Sequence, residues 1–390
     1  MIFWGRPPSV KRAFCCLVPL SPIGIVSPGK IRYDEFICPA LACIGERKLD
    51  GKAKPLHTGK LDLDVLRSLL RTHTLVDSQV IVGPKIGEDA AVIDVGTDRY
   101  WVVAADPVTF TTEEIGYYGV VVNLNDIATR GAIPRWFLAT LLFPENSVIG
   151  DVETVFSQIH KACQRFQVSF VGGHTEITPG IERVILSGHM IGEVRKERLV
   201  TTSGARAGDL LLLVKGVCIE GTSIMAREKE AELLAHGIEP SAIQKARNFI
   251  FDPGIEVLRA ARIACDSASV HSMHDPTEGG LVNGIVEVAL ASEKEIQVDL
   301  ENVYLYEESR AFCKAFDLDP LGVIASGALL LTISPSDLPA IQKAFGEGAI
   351  PVQVIGQVTK GPARVLAKQK GGLKELEPFS RDEILKIFET

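Results

Sequence analysis

From His57 onward, short β-rich runs alternate with stretches of helical spacing, and that alternation leaves few folds open to the chain. Leu63, Leu66, Leu69 and Leu70 fall at helical spacing within Leu61–Arg71. Ala91–Val95 and Tyr100–Ala105 read as strands around the turn Gly96-Thr97-Asp98. Thr112, followed by Glu113 and Glu114, reads as the cap of a helix reaching about Arg130. Trp136–Phe143 reads as a strand, and Asp151 as the cap of a helix whose Val155, Ile159, Cys163 and Phe166 share one face. The strands Val168–Val171 and Val184–Ile191 close this first series.

A second series follows the glycine-rich Gly204–Gly208, with strands at Asp209–Lys215, Ile296–Leu300, Ala328–Ile333 and Val352–Val358. Helical patterns at Ile255–Ala264, Thr277–Ala291, Glu308–Phe316 and Leu338–Phe345 separate them. Strands alternating with helices of roughly 10 to 15 residues specify a layered α/β (α+β) chain. The polar stretch near 197–207 sets the expected boundary between domains 56–200 and 201–370, with a tail or helix over 371–390.

The first 55 residues differ in texture. They hold nine Lys/Arg against four Asp/Glu, a charge of +5 beside −13 for the remainder, and seven of the 21 prolines. Proline at that density blocks a long helix, and Pro19, Pro22 and Pro28 break up the apolar stretch of a would-be secretory signal. A poorly packed leader is expected, with a genuine N-terminal extension as the alternative. The net charge of −8 argues against a sequence-independent nucleic-acid binder, which needs a basic face. No apolar run approaches the roughly 18 to 20 residues of a membrane span. The eight cysteines include no CxxC, so buried, reduced thiols in a cytoplasmic protein are expected.

Carboxylates at particular places suggest chemistry. In Gly87-Glu88-Asp89-Ala90-Ala91-Val92 the acids stand just before a strand, where oxygen ligands suit a hard cation, although a solvated turn explains this motif alone. Asp106 follows the strand Trp101–Ala105. Asn123 and Asp126 sit in the apolar helical run Val120–Ala128, where burial costs several kcal/mol unless they are paired or metal-bound. Three separated carboxylates of this kind point to a magnesium–phosphate site. Gly172 and Gly173, before His174, Thr175 and Glu176, would let a backbone approach phosphate, though a tight turn explains paired glycines equally well. Asp275 or Thr277 can cap the following helix. Gly279 and Gly280 cost about 1 kcal/mol each within its first turn, which suggests close approach by a ligand or a neighbouring strand. No GxxxxGK[ST], GxGxxG or GxSxG motif occurs, so a phosphate site here is built from scattered carboxylates and glycines.

Taken in order, these pieces resemble the aminoimidazole-ribonucleotide (AIR) synthetase superfamily, which includes thiamine-monophosphate kinase, selenophosphate synthetase and the hydrogenase-maturation protein HypE. Gly87–Val92 is similar to its G-[DE]-D-A-A-V motif, Asn123–Pro134 to its N-x-x-D-[LI]-A-x-x-G-A-x-P helix, and Gly172–Glu176 to its GG-[HDE]-T turn. Asp275–Leu281, with Leu318-Asp319-Pro320-Leu321, resembles the HypE pattern D-P-T-x-G-G-L … L-D-P-L. The resemblance spans about Gly59 to Lys360.

The resemblance implies a two-domain PurM-like fold, with the first sheet shared as a barrel in a homodimer and the second domain an α/β sandwich. It implies ATP in a cleft with Mg2+ on Asp89, Asp106 and Asp126. Asn123, Asp126, Gly172, Gly173, Thr175, Thr277, Gly279 and Gly280 would face the nucleotide, and Asp89, His174 and Asp275 would act in catalysis. Phosphoryl transfer from ATP to a small substrate, or dehydration through it, is the implied activity. A kinase of the thiamine-phosphate type and a non-catalytic nucleotide-binding regulator are the alternatives. Three departures bear on this: no cysteine follows Cys313, His274 and Glu278 replace arginines usual in HypE, and His174 stands where thiamine-monophosphate kinases show Asp. Cyanide-ligand synthesis on the chain's own tail is therefore not expected. Only Lys85 lies near the place of the selenophosphate-synthetase lysine.

Overall fold

A computed structural model describes residues 58–61, 63–72, 75–109 and 113–389. The 1–55 leader and the expected cap Thr112 lie outside them.

The first series builds a six-stranded sheet in the order β1-β2-β3-β6-β4-β5. Its strands are β1 (Val80–Val82), β2 (Ala91–Asp94), β3 (Arg99–Val108), β4 (Ile133–Phe143), β5 (Ser169–Ile177) and β6 (Ile185–Arg195). Helices α1 (Leu63–Leu70), α2 (Ile115–Thr129) and α3 (Ile149–Phe166) accompany it. All pairings are antiparallel except β4 with β5. Strands β4 and β6 alternate buried and less buried residues, as half-covered strands do.

Three local expectations change here. Strand β3 runs on through Asp106 and Pro107, because its ladder with β6 continues to Val108↔Leu186. Strand β5 runs through the paired glycines instead of turning at them, held by its parallel register with β4. Asp151 does not precede α3 but lies in its first turn, where its carboxylate accepts the Val148 N–H at 2.9 Å.

The second series builds a seven-stranded sheet in the order β13-β12-β9-β11-β7-β10-β8. Its strands are β7 (Leu210–Val214), β8 (Val270–His274), β9 (Glu295–Val298), β10 (Leu329–Ile333), β11 (Val352–Thr359), β12 (Arg364–Gln369) and β13 (Gly372–Glu375). The helices are α4 (Ile219–Glu228), α5 (Glu230–Ala235), α6 (Pro240–Arg247), α7 (Leu258–Ser267), α8 (Gly280–Ser292), α9 (Glu307–Ala315) and α10 (Leu338–Glu347). Strands β1, β8, β12 and β13 and helices α4 to α6 go beyond the periodicities read above. The first three strands named are short or amphipathic without a clean alternation, so their pairing is settled by neighbours more than by pattern.

The result is a two-domain mixed α/β fold. The described cysteines Cys163, Cys218, Cys265 and Cys313 are free thiols, and no described helix is long and apolar enough to cross a membrane. Helix α2 positions the site. It is apolar nearly all round and buried along almost its whole length, as a helix enclosed on every side must be. It packs on β3, β4 and β6 and also meets α7 and β8 of the second series. Asn125 reinforces that junction by donating to Ile255 O and accepting from Val257 N, both at 2.9 Å. One continuous apolar core accordingly includes Leu124 and Ile127 together with Leu212, Ile255 and Met273.

Candidate active site

Where α2 crosses from the first sheet to β8, four aspartates converge. Asp89 stands just before β2, Asp106 within β3, Asp126 on the last turns of α2, and Asp275 just after β8. Burial pushes the Asp106 carboxyl up to about 6, with Asp89 and Glu278 adding to the effect and the Lys60 ammonium opposing it. Asp126 and Asp275 are pushed well above the ordinary carboxylate range, first by burial and then by the other aspartates of the group. Asp106, Asp126 and Asp275, each raised in part by other aspartates of the group, form one electrostatic unit with Asp89.

Asp89 differs from the other three because cations hold it. Burial works to raise its carboxyl, but the charges of His274 and Arg130 keep it below the usual range. Arg130 is fully buried at the end of α2. Its Nη2 donates to Asp89 Oδ2 at 2.8 Å, to Thr202 Oγ1 at 2.7 Å and to Met273 O at 3.1 Å, while Nη1 pairs with Glu88. Glu88 in turn accepts the backbone N–H groups of Thr202 and Ser203, each at 3.1 Å. A single guanidinium thus ties the loop before β2 to the segment before β7 and to the end of β8.

His274 forms the second tie. Its Nδ1 lies 2.8 Å from Asp89 Oδ1, an ion pair without hydrogen-bond direction, and its Nε2 hydrogen-bonds Glu287 Oε2 at 2.8 Å. Burial works against the imidazolium, yet the two carboxylates raise it to about 10. A raised folded-state pKa gives stability that is fully present below the unfolded value near 6.5 and is lost as pH rises through about 10. Wild-type melting temperature should therefore fall between pH 7 and pH 10 more steeply than that of His274→Gln. Parallel slopes in thermal melts would show that His274 is neutral in the folded protein.

Lys60 is a site residue that local sequence reading missed. Its Nζ donates to Thr277 Oγ1 at 2.9 Å, and its N–H donates to Glu278 Oε2 at 3.1 Å. The protein packed around the ammonium opposes its charge, but Glu287, Glu278, Asp106 and Asp89 together drive its pKa upward. Lys60 and Lys85, the lysine noticed beside the first motif, are both exposed, but the Lys85 side chain makes no hydrogen bond or ion pair among the described residues. No periodicity marks Lys60, since its partners lie more than 200 residues away. Arg130 had a usable signal: an arginine closing an apolar helix must find an anion if buried.

The motif residues divide in two. Asn123 is fully buried and spends its amide on the backbone: Oδ1 accepts Asp106 N–H at 2.9 Å, and Nδ2 donates to Asp106 O at 3.1 Å and Gly119 O at 2.9 Å. It positions Asp106. Neither Asp275 nor Thr277 caps α8; Gly279 is its N-cap residue, with its N–H donated to Asp382 Oδ2 at 2.7 Å. A Cβ on Gly280, at φ +66°, would meet Leu321 O at 2.5 Å, so the close approach there is made by the chain's own loop. Thr277 faces the cluster through Lys60.

Gly172, Gly173, His174 and Thr175 lie elsewhere, on β5 at the sheet edge opposite β1. A Cβ on Gly173, at φ +148°, would sit 1.8 Å from Ala139 O, so strand packing by itself demands glycine there. His174 hydrogen-bonds Glu176 at 2.9 Å on the exposed strand. Three strand spacings separate β5 from β3, roughly 14 Å along the sheet. Within one chain the fold does not bring His174 to the aspartates.

Among the described residues, no group of three or more His, Cys, Asp or Glu side chains is disposed to hold a metal ion as it stands. The expected trio is therefore not a preformed centre. The donor chemistry still fits a hard cation, being oxygen-only, mutually repulsive and in need of positive charge. Asp275 Oδ1 is buried with no hydrogen-bond partner, an orphaned acceptor of the kind a cation satisfies. Both Asp89 oxygens are already engaged, which leaves Asp106, Asp126 and Asp275 as the open carboxylates.

Comparison with known proteins agrees with this architecture. Residues 87–194 match the pattern of the AIR synthase related protein, N-terminal domain, and residues 206–368 match that of its C-terminal domain. The chain is similar to the carbamoyl dehydratase HypE of Rhizobium leguminosarum bv. viciae, 26% identical over 64% of this chain and 68% of that protein. It is 29% identical to the thiamine-monophosphate kinase of Pyrococcus horikoshii, over 71% of this chain and 84% of that one. A crystal structure of the hydrogenase maturation protein HypE in complex with ATP superposes with a TM-score of 0.61 at 23% identity, covering 78% of this chain and 92% of the other.

Proposed function

The chain belongs to the AIR synthase related protein family, and from that premise we propose that it is a HypE-like, Mg-ATP-dependent enzyme that transfers the terminal phosphoryl group to a small acceptor and so activates it for displacement or dehydration. The observation that carries this reading is the group of four aspartates at the junction of the two sheets, two of them held well above the ordinary carboxylate range. A cluster so costly without a cation is suited to receive one together with phosphate.

Asp106, Asp126 and Asp275 would hold magnesium, which neutralises phosphate charge and orients the transferring group. Arg130 and His274 keep Asp89 ionised and fixed. The Lys60 ammonium, poised at Thr277, supplies a donor for a phosphate oxygen. Asn123 holds the β3 backbone so that Asp106 faces the cluster. Positioning and charge neutralisation of this kind are what phosphoryl transfer chiefly requires.

Calorimetric titration with ATP, with and without magnesium, followed by assay of ADP release, tests the reading. Binding that does not depend on magnesium would overturn it. The thiamine-monophosphate kinase relative supports a second reading, a small-molecule kinase. In that case a phosphorylated product accumulates instead of losing its phosphate. Binding without turnover would identify a nucleotide-binding regulator. The four free thiols among the described residues support a reducing, cytoplasmic setting.

A homodimer is part of the proposal. Strand β5 is an edge strand exposed along most of its length, with Val171 and Ile177 open to solvent, and such edges invite pairing. Light scattering should give about twice the chain mass of 42.2 kDa. A stable monomer at micromolar concentration would remove the shared sheet.

A further inference from the structure

Beside the aspartate cluster lies a cavity of about 550 Å³, lined by Lys60, Asp106 and Thr277 of the site and by Arg183, Glu220 and Ser326 beyond it. Glu220 occupies the first turn of α4 and is only 6% exposed. Its Oε2 is buried without a hydrogen-bond partner. A carboxylate buried that far costs several kcal/mol unless a partner arrives. Arg183, on the exposed side of the cavity, makes no ion pair among the described residues. Val108, Val122 and Ile324 supply the apolar remainder of the wall.

We propose that this cavity takes the phosphoryl acceptor, a small anionic molecule bearing a hydroxyl or amide N–H, with Glu220 receiving the acceptor's proton and Arg183 holding its negative group. The proposal rests on the Mg-ATP reading above. Asp106 and Lys60 belong to both the cavity and the aspartate cluster, so an acceptor seated here would adjoin the transferring group. In the step, the acceptor's oxygen or nitrogen forms a bond to the γ-phosphorus of ATP while the bond from that phosphorus to the bridging oxygen breaks. ADP leaves with that electron pair, and the acceptor's proton passes to the Glu220 carboxylate and then to water. Burial raises the Glu220 carboxyl to about 7, with Asp382 and Glu278 adding to the effect and Ser326 opposing it, which suits a group that must take and release a proton near neutrality.

Water, the smallest acceptor, makes the test independent of the natural substrate. Glu220→Gln should lower the rate of phosphate release from Mg-ATP at least about tenfold while leaving Mg-ATP affinity and melting temperature unchanged or improved. A loose transition state keeps the expected loss modest, because the base works late. Equal release in wild type and variant, or none in either, overturns the assignment. Absence of magnesium-dependent ATP binding in the wild type would instead remove the reading on which it rests. For the charge class, glycerol 3-phosphate is compared with glycerol as a competitor of water. The anionic alcohol should act at a concentration at least about tenfold lower, and Arg183→Ala should abolish that preference. Equal or absent responses to the two alcohols overturn the anionic acceptor.

Discussion

Replacing Arg130 with methionine should lower the stability of the protein by about 3 to 5 kcal/mol, the loss expected when one member of a buried ion pair is removed. The reason lies in what stays behind. Glu88 and Asp89 would remain buried without their shared cation, and Thr202 Oγ1 and Met273 O would lose a donor. Methionine keeps most of the aliphatic volume, so the loss reports charge and hydrogen bonding more than packing. Chemical denaturation of Arg130→Met, Glu88→Gln and the double variant forms a cycle. The double variant should recover part of the loss, because it removes an uncompensated carboxylate along with the guanidinium. A single-variant loss under about 1 kcal/mol would mean that water reaches the network and that Arg130 does not bind the two halves together.

Asp126→Asn should weaken Mg-ATP binding at least about tenfold, a loss of roughly 1.4 kcal/mol. The same change should leave the unliganded fold at least as stable at neutral pH. Asp126 lies among like charges and makes no side-chain hydrogen bond among the described residues, and burial with those charges holds its carboxyl well above the ordinary range. A raised carboxylate pKa means that the folded state keeps a proton which the unfolded state releases near pH 4, so its contribution to stability falls as pH rises from there. The melting temperature of wild type relative to Asp126→Asn should therefore decline between about pH 4 and pH 7. Calorimetry with and without magnesium, run beside those melts, separates ligand from scaffold. An Asn variant that binds Mg-ATP normally but unfolds early would make Asp126 a structural partner of α2.

Much of the site was legible because its residues sit at conspicuous places in local patterns. Asp126 stands out as an acid inside an apolar helix, and Asp89 and Asp106 as acids next to β-rich runs. The pairings were not legible. Arg130 finds Asp89 and Glu88 across 41 and 42 residues, and His274 reaches Asp89 from the second sheet. Lys60 comes from a segment with no periodic signal. The paired glycines show the opposite error: Gly173 and Gly280 fit a phosphate cradle by composition, whereas the atoms that crowd them belong to Ala139 and Leu321.

By itself the sequence determined the layered α/β class, the alternation of strands and helices within each series and the carboxylates worth watching, because period and local polarity are properties of neighbouring residues. Tertiary structure alone decided that β3 continues through Asp106, that β5 runs straight through its glycines to a far edge, and that His174 stands apart from the aspartates. It alone decided which carboxylates are held by cations and which are left open. Strand order and charge pairing depend on groups far apart in the chain, and their energies arise only when folding removes water from between them.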